Sequence, residues 1–103
     1  MSAIVKTPSE VDSYFLDFVN QLSTGETIST SSVTAYDVLN ARDATAQIIS
    51  TSPAPSVSGT QVIFWYQGGT VNGRYIIAVK VTTSLNRALE GDVDLLVKQE
   101  VPS

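Results

Sequence analysis

Three acidic residues near the C-terminus come closest to a set of metal ligands. In EGDVDLL, Glu90, Asp92 and Asp94 stand at every second position, so a strand would place their carboxylates on one face. Carboxylate oxygens suit a hard cation such as Ca²⁺, but the loop spacing of an EF-hand is absent. A solvated strand face that discourages edge pairing explains the same residues, and we expect no metal site.

Other candidate chemistry also has a structural explanation. Asp12 and Asp17 are candidates for a general acid and base pair, but nothing in the sequence makes them converge. The stretch GGTVNG (68–73) lacks the spacing of a phosphate-binding loop and precedes a strand-like segment, so it indicates a hairpin turn. The hydroxyls of STSSVT (29–34) have no histidine to activate them and suit a strand surface.

The composition narrows the possible functions further. The 103 residues include no histidine and no cysteine, which excludes a Ser-His-Asp triad, imidazole-dependent zinc sites and thiolate chemistry. The net charge is −4, and the six basic residues are scattered, so direct binding to nucleic acid is not expected. We expect no membrane span, no secretory signal, no cofactor and no catalytic residue. An enzyme is therefore disfavoured.

The sequence after residue 25 consists of short strand candidates separated by turn signals, and these strands must form any functional surface. The strand candidates lie at 26–38, 44–50, 61–67, 74–84 and 88–99, while 51–60 resembles a loop or an irregular edge. In the last candidate, apolar residues alternate with polar ones and Gly91 suggests a bulge. This spacing predicts a β-sandwich or a small barrel. We expect one domain over residues 1–103, of which residues 1–6 form a short N-terminal arm.

The stretch TPSEVDSYFLDFVNQLSTG (7–25) is ambiguous from local rules. Thr7, Pro8 and Glu10 form the signature of a helix N-terminus, and Gly25 could end a helix. The aromatic and β-branched residues between Tyr14 and Val19 instead favour a strand. Local propensities leave both interpretations open.

One strand is apolar on both faces and suggests an interface. In QVIFWYQ (61–67), Val62, Phe64 and Tyr66 point one way, while Ile63 and Trp65 point the other. Such a strand is either central and covered or in contact with a partner. The candidate interface residues, with aromatic side chains foremost, are Trp65, Tyr66, Ile63 and Ile76.

Three longer stretches share a pattern: TPSEVDSYFLDF (7–18), GETISTSSVTA (25–35) and QGGTVNGRYIIAVKVTTSLNRALEGDVDLLV (67–97). Together they resemble a family of small tailed-phage virion proteins, the phage fibre–tail adaptor proteins. The positions that carry the resemblance are Pro8, Glu10, Tyr14, Asp17, Phe18, Gly25, Glu26, Ile28, Ser29, Thr30, Gly68, Gly69, Thr70, Gly73, Tyr75, Thr82, Thr83, Asn86 and Arg87. Phe18 replaces a usual Trp and Ser13 a common Asp, and residues 37–60 have no clear match.

The resemblance implies a strand at 13–21 entered through a turn at 7–11. The expected fold is then all-β, an immunoglobulin-like antiparallel sandwich of about seven strands. The implied function is a non-enzymatic connector in the virion, at the neck or tail, that docks fibres or joins rings. Its partners would be other virion proteins, met in multiple symmetric copies. The alternatives are a capsid decoration protein and a module that binds a carbohydrate or receptor.

Overall fold

The computed structural model describes residues 2–99, which form eight strands and one helical turn. The strands are β1 (Ser2–Lys6), β2 (Asp12–Asp17), β3 (Ile28–Asp37), β4 (Arg42–Asp43), β5 (Ser56–Ser58), β6 (Gln61–Tyr66), β7 (Arg74–Thr83) and β8 (Ala88–Val97), and helix α1 spans Thr45–Ile48. One sheet has the order β1-β8-β7-β3-β4 and the other the order β2-β6-β5.

The two sheets share one apolar core. Alternate residues of β7 and β8 are buried, as the period of a strand requires, and Val62 and Phe64 of β6 belong to the same cluster. The fully buried apolar side chains with no measurable exposure are Ile48, Val62, Phe64, Ile77, Val79, Val93 and Leu95. The predicted all-β sandwich is confirmed, while the immunoglobulin-like topology stays a prediction.

The N-terminal residues expected as an arm are part of the larger sheet. Strand β1 pairs with β8 in parallel, with Ile4 opposite Leu95. Ile4 and Lys6 are buried, while Val5 is exposed, because alternate side chains of the strand face the core. Strand β1 thus adds one parallel pair to a sandwich that was expected to be antiparallel.

Residues 7–25 form a turn followed by a strand, as the resemblance implied. The Thr7 amide donates to Glu10 Oε1 at 2.8 Å, and the Glu10 amide donates to the Thr7 carbonyl at 3.1 Å. This half of a capping box closes a turn and starts no helix. The strand ends at Asp17 and not at residue 21, because Phe18 turns into the core and its carbonyl accepts the amides of Gln21 and Leu22.

Two local predictions about strands are wrong. The stretch 44–50 was expected as a strand, but it contains α1, followed by a single bridge between Ile49 and Tyr66. A helical turn lets both Ile48 and Ile49 reach the core, which successive strand residues cannot do. Gly91 was expected at a bulge, but it pairs regularly with Val79, and the Leu16 side chain packs over it.

Candidate interaction surfaces

The outer face of the smaller sheet carries an exposed apolar strip, formed by Phe15, Ile63 and Trp65. Phe15 of β2 lies opposite Ile63 of β6, and Ser13 lies opposite Trp65. The Phe15 side chain is 54% exposed, while Ile63 and Trp65 are half-buried. A clustered apolar surface on an otherwise polar sheet face is typical of a contact site. This strip contains two of the four residues predicted for an interface.

Tyr66 does not belong to the strip. Its side chain packs against the core cluster, on the same side of β6 as Phe64. Burial raises the pKa of the Tyr66 phenol, and the negative charges of Asp12 and Glu10 add to the rise. Tyr66 is thus a neutral, partly buried residue that supports the sheet.

Ile76 lies on a second surface, on the outer face of the larger sheet. It stands between Tyr36 of β3 and Asp94 of β8, one row away from the pair of Leu96 and Val5. We call Val5, Tyr36, Ile76 and Leu96 the outer patch. The structure therefore divides the four predicted interface residues between two faces of the sandwich, with Tyr66 inside.

The acidic residues of β8 are spread along the strand beside basic neighbours. Glu90 lies opposite Lys80, and Asp94 approaches Arg74 with 3.7 Å between Oδ2 and Nη2. Among residues 2–99, no three carboxylates, histidines or cysteines are grouped to hold a metal ion. Strand β1 covers β8 from Val93 to Val97, whereas Glu90 and Asp92 lie before the first paired residue. Glu90 and Asp94 have basic neighbours, and all three acids lie on the outer face of β8.

Asp12 and Asp17 do not converge either, because they occupy the two ends of β2. The five residue-to-residue steps between them correspond to about 17 Å along the strand. The Asp12 carboxylate accepts the Ser13 amide at 2.7 Å. Asp17 accepts the Thr60 hydroxyl at 2.6 Å and the Val19 amide at 2.9 Å, and these hydrogen bonds lower its pKa, with the Thr60 bond the larger cause. Asp17 thus stabilises the turn that follows β2, whereas Asp12 bonds to the next residue of its own strand.

A buried carboxylate, Glu26, and a guanidinium, Arg87, form an ion pair that joins two turns distant in the sequence. We call this contact a clasp. Glu26 Oε1 accepts Arg87 Nη2 at 2.6 Å, and Oε2 accepts Arg87 Nε at 2.9 Å. The Thr83 hydroxyl and the Ser23 amide also donate to Glu26. These contacts lower the pKa of Glu26 to about 2, with the Arg87 hydrogen bonds the largest cause. Arg87 further donates to the Gln21 carbonyl at 2.6 Å, so the residues 21–26 are held against the β7–β8 turn.

A buried lysine makes a second clasp at the opposite end of β7. The Lys6 side chain is 1% exposed, and its ammonium donates to the carbonyl oxygens of Thr7 and Gly68. In the same turn the Thr70 amide donates to the Tyr75 hydroxyl at 3.1 Å. Gly68 has φ +61°, and a Cβ there would lie 2.7 Å from the Gln47 carbonyl oxygen. The turn therefore needs glycine for both its conformation and its close approach to α1.

Sequence reasoning assigned no role to Glu26, Arg87 or Lys6. Glu26 and Arg87 did appear among the positions of the family pattern, and so did Thr83, which completes their hydrogen bonds. The signal was therefore present as a pattern of residue types, but their contact spans 61 positions of the chain. No periodicity reveals a pair that far apart.

Within the described part of the chain, the surface has no ligand-sized pocket. The short helix α1 cannot cross a membrane, and no other helix occurs between residues 2 and 99. The features that remain are two apolar surfaces on opposite sheets and two clasps that fix the turns. They define a β-sandwich whose notable surfaces are suited to contacts with other proteins.

The sequence places this sandwich in a phage family. The model of the family described as Podophage GP4 fiber-tail adaptor protein gp77 matches residues 6–96, and the chain belongs to this family. No curated protein matches the chain. Family membership makes the chain a structural adaptor component of the virion that interacts with other virion proteins.

Proposed function

We propose that this protein is a non-enzymatic connector at the neck or tail of the particle that docks fibres or joins rings. It would be present in multiple symmetric copies and would bind proteins, without contacts to nucleic acid or membrane. The family match supports the adaptor role, and the single structural observation that carries the docking proposal is the strip of Phe15, Ile63 and Trp65.

The strip has the composition of an interface centre. Trp and Phe are enriched at protein interfaces because they bury much apolar area at a small cost in conformational entropy. Hydroxyl-bearing residues, Ser13 on β2 and Ser56 on β5, flank it and supply a polar rim. Ile76 on the opposite sheet offers a second contact area, which suits a protein that must hold two neighbours.

A charged substitution in the strip tests the docking surface. We expect Phe15→Glu to lower the copies of this protein per particle about tenfold or more, the effect of losing about 1.4 kcal/mol of binding. The fold should persist, because Phe15 is exposed and its strand retains its partner β6. Leu39→Glu is the matched control, since Leu39 is 65% exposed and lies outside the strip.

The copies per particle are counted by quantitative mass spectrometry against the major capsid protein, with variants supplied in trans to phage lacking the wild-type protein. Equal losses for Phe15→Glu and Leu39→Glu would remove the strip from the proposal. For the wild-type protein, six, twelve or a small multiple of copies supports a connector on a ring. Several hundred copies would replace the connector by a capsid decoration protein.

A further inference from the structure

The free edge of β1 lacks the devices that protect sheet edges from pairing. Among the other edge strands of the described chain, β5 has three residues, and β2 begins and ends with an aspartate. Strand β4 has two residues and pairs only with Tyr36 and Asp37, so most of β3 has no partner strand on that side. Short edges and charged residues discourage the addition of another strand. Strand β1 has five residues, and its one charged side chain, Lys6, is buried on the core side.

The hydrogen-bonding groups on this edge can be assigned from the pairing with β8. The Lys98 amide donates to the Lys6 carbonyl at 2.8 Å, so the backbone groups of Lys6 face β8. In a parallel ladder these groups alternate, and those of Ala3 and Val5 therefore face away from β8. Both side chains are exposed, Val5 by 51%, and Val5 lies beside Leu96 of the outer patch.

We propose that β1 pairs antiparallel with β1 of a second copy of this chain, about a twofold axis at Ile4. Ala3 of each copy then lies opposite Val5 of the other. Because these residues carry the outward backbone groups, each pair exchanges two hydrogen bonds. The two five-stranded sheets would join into one sheet of ten strands.

A second copy fits this edge because the outward N–H and C=O groups of one β1 are complementary to the same groups of another. A twofold axis at Ile4 brings donors opposite acceptors without any shift of register, as an isologous interface requires. The net charge of −4 opposes association, but no exposed charged side chain of β1 lies at the joint.

The contact is small. Pairing through five residues buries less than the roughly 1,000 Å² expected of a stable interface. The dimer should therefore be weak in dilute solution and strengthen at high local concentration. This inference does not rest on the proposed docking strip, which lies on the other sheet.

Disulfide trapping tests the register, and the chain has no cysteine of its own. Ala3→Cys and Val5→Cys are made as two separate full-length proteins and mixed at high concentration in a glutathione buffer. In the proposed register, residue 3 and residue 5 of the other copy have Cα atoms about 5.5 Å apart, within the reach of a disulfide. Identical positions lie about 9 Å apart, beyond that reach.

We expect the mixed disulfide to form about tenfold faster than the homodimer of either variant alone. Intact mass distinguishes the three products. Homodimers that form as fast as the mixed dimer, or no disulfide at all, would overturn the proposal.

A second variant tests the association without cysteine. Val5→Pro removes only an outward amide and keeps the ladder with β8, so the fold should survive at an edge position. By sedimentation at millimolar concentration, we expect the wild-type protein to self-associate and Val5→Pro to remain monomeric. Equal self-association of both, with the proline variant folded by circular dichroism, would contradict pairing through β1.

Discussion

The Arg87 guanidinium binds both carboxylate oxygens of Glu26, with donor–acceptor distances of 2.6 and 2.9 Å. The carboxylate side chain has no solvent exposure, whereas the arginine side chain is 43% exposed. This two-bond geometry fixes the orientation of both groups, which a single contact would not. It joins the residues before β3 to the turn between β7 and β8. Substitution of Glu26 should therefore reduce the stability of the fold.

Substitution of Glu26 by Gln should destabilise the protein strongly. The amide keeps the shape but loses the charge, and its NH₂ group faces donors from Arg87 and Thr83. We expect Tm to fall by roughly 10 °C in thermal denaturation followed by circular dichroism. Glu90→Gln, on the solvated face of β8, is the control and should change Tm little. Similar Tm values for both variants would show that the clasp contributes no stability.

The contribution of Glu26 should depend on pH in a defined direction. Its pKa in the folded protein is about 2, lowered from a usual 4.5 by Arg87, Thr83 and Ser23. Because the unfolded chain binds this proton more tightly, the stabilisation is complete above about pH 5 and is lost as the pH falls toward 2. The Tm gap between wild type and Glu26→Gln should therefore narrow over this range. Other carboxylates titrate in both proteins and largely cancel, so a constant gap would contradict the assignment.

Gly68 and Gly59 form a matched pair for measuring steric contact. Their φ angles are +61° and +60°, but only at Gly68 would a Cβ meet another atom, the Gln47 carbonyl oxygen at 2.7 Å. Alanine at either position has the same left-handed conformation to adopt. We expect Gly68→Ala to lower the free energy of unfolding by about 1–3 kcal/mol more than Gly59→Ala, because backbone must move. Urea denaturation of both variants measures the difference, and equal losses would place α1 further from this turn.

Lys6 should be sensitive to substitution even though it is a lysine. Its ammonium donates to backbone carbonyls at Thr7 and Gly68, and Met in its place leaves these acceptors without that donor. We expect Lys6→Met to cost about 2 kcal/mol of unfolding free energy and to speed amide exchange in the turn 68–73. The control is Lys98→Met, which removes an exposed lysine just after β8. It should change the free energy of unfolding by less than about 0.5 kcal/mol. If Lys6→Met leaves the free energy of unfolding unchanged, water must replace the ammonium as the donor to these carbonyl groups.

The sequence could predict those features that depend on local periodicity and on turn residues. The alternation in β8 predicted both its strand character and its apolar face, because residues two apart on a strand share a face whatever packs against it. The turns at 68–73 and 85–87 followed from glycine and asparagine, and Asn86 has the positive φ of +63° that such a turn accommodates. The placement of Ile63 and Trp65 on one face of β6 also followed from alternation, but which face would be exposed did not.

The rest depended on contacts between distant parts of the chain. Residues 44–50 look like a strand in isolation, but Thr45 accepts the Ala35 amide through its hydroxyl at 3.0 Å and lies in a helical turn. Ile76 and Trp65 appeared equivalent as candidate interface residues, yet they belong to different sheets. The clasp of Glu26 with Arg87 and the burial of Lys6 likewise arise only when the sheets are assembled.

The pairing of β1 with β8 has a consequence for how this chain folds as it is synthesised. Ser2 meets Val93, and the two strands are separated by every other element of the fold. Closing so long a loop costs entropy that is repaid only when β8 is available. Of these strands, the first to be synthesised must therefore wait for the last, with the edge of β7 exposed in the meantime. Completion of the larger sheet is thus a late event in folding, and the outer patch is finished only after β8 has been synthesised.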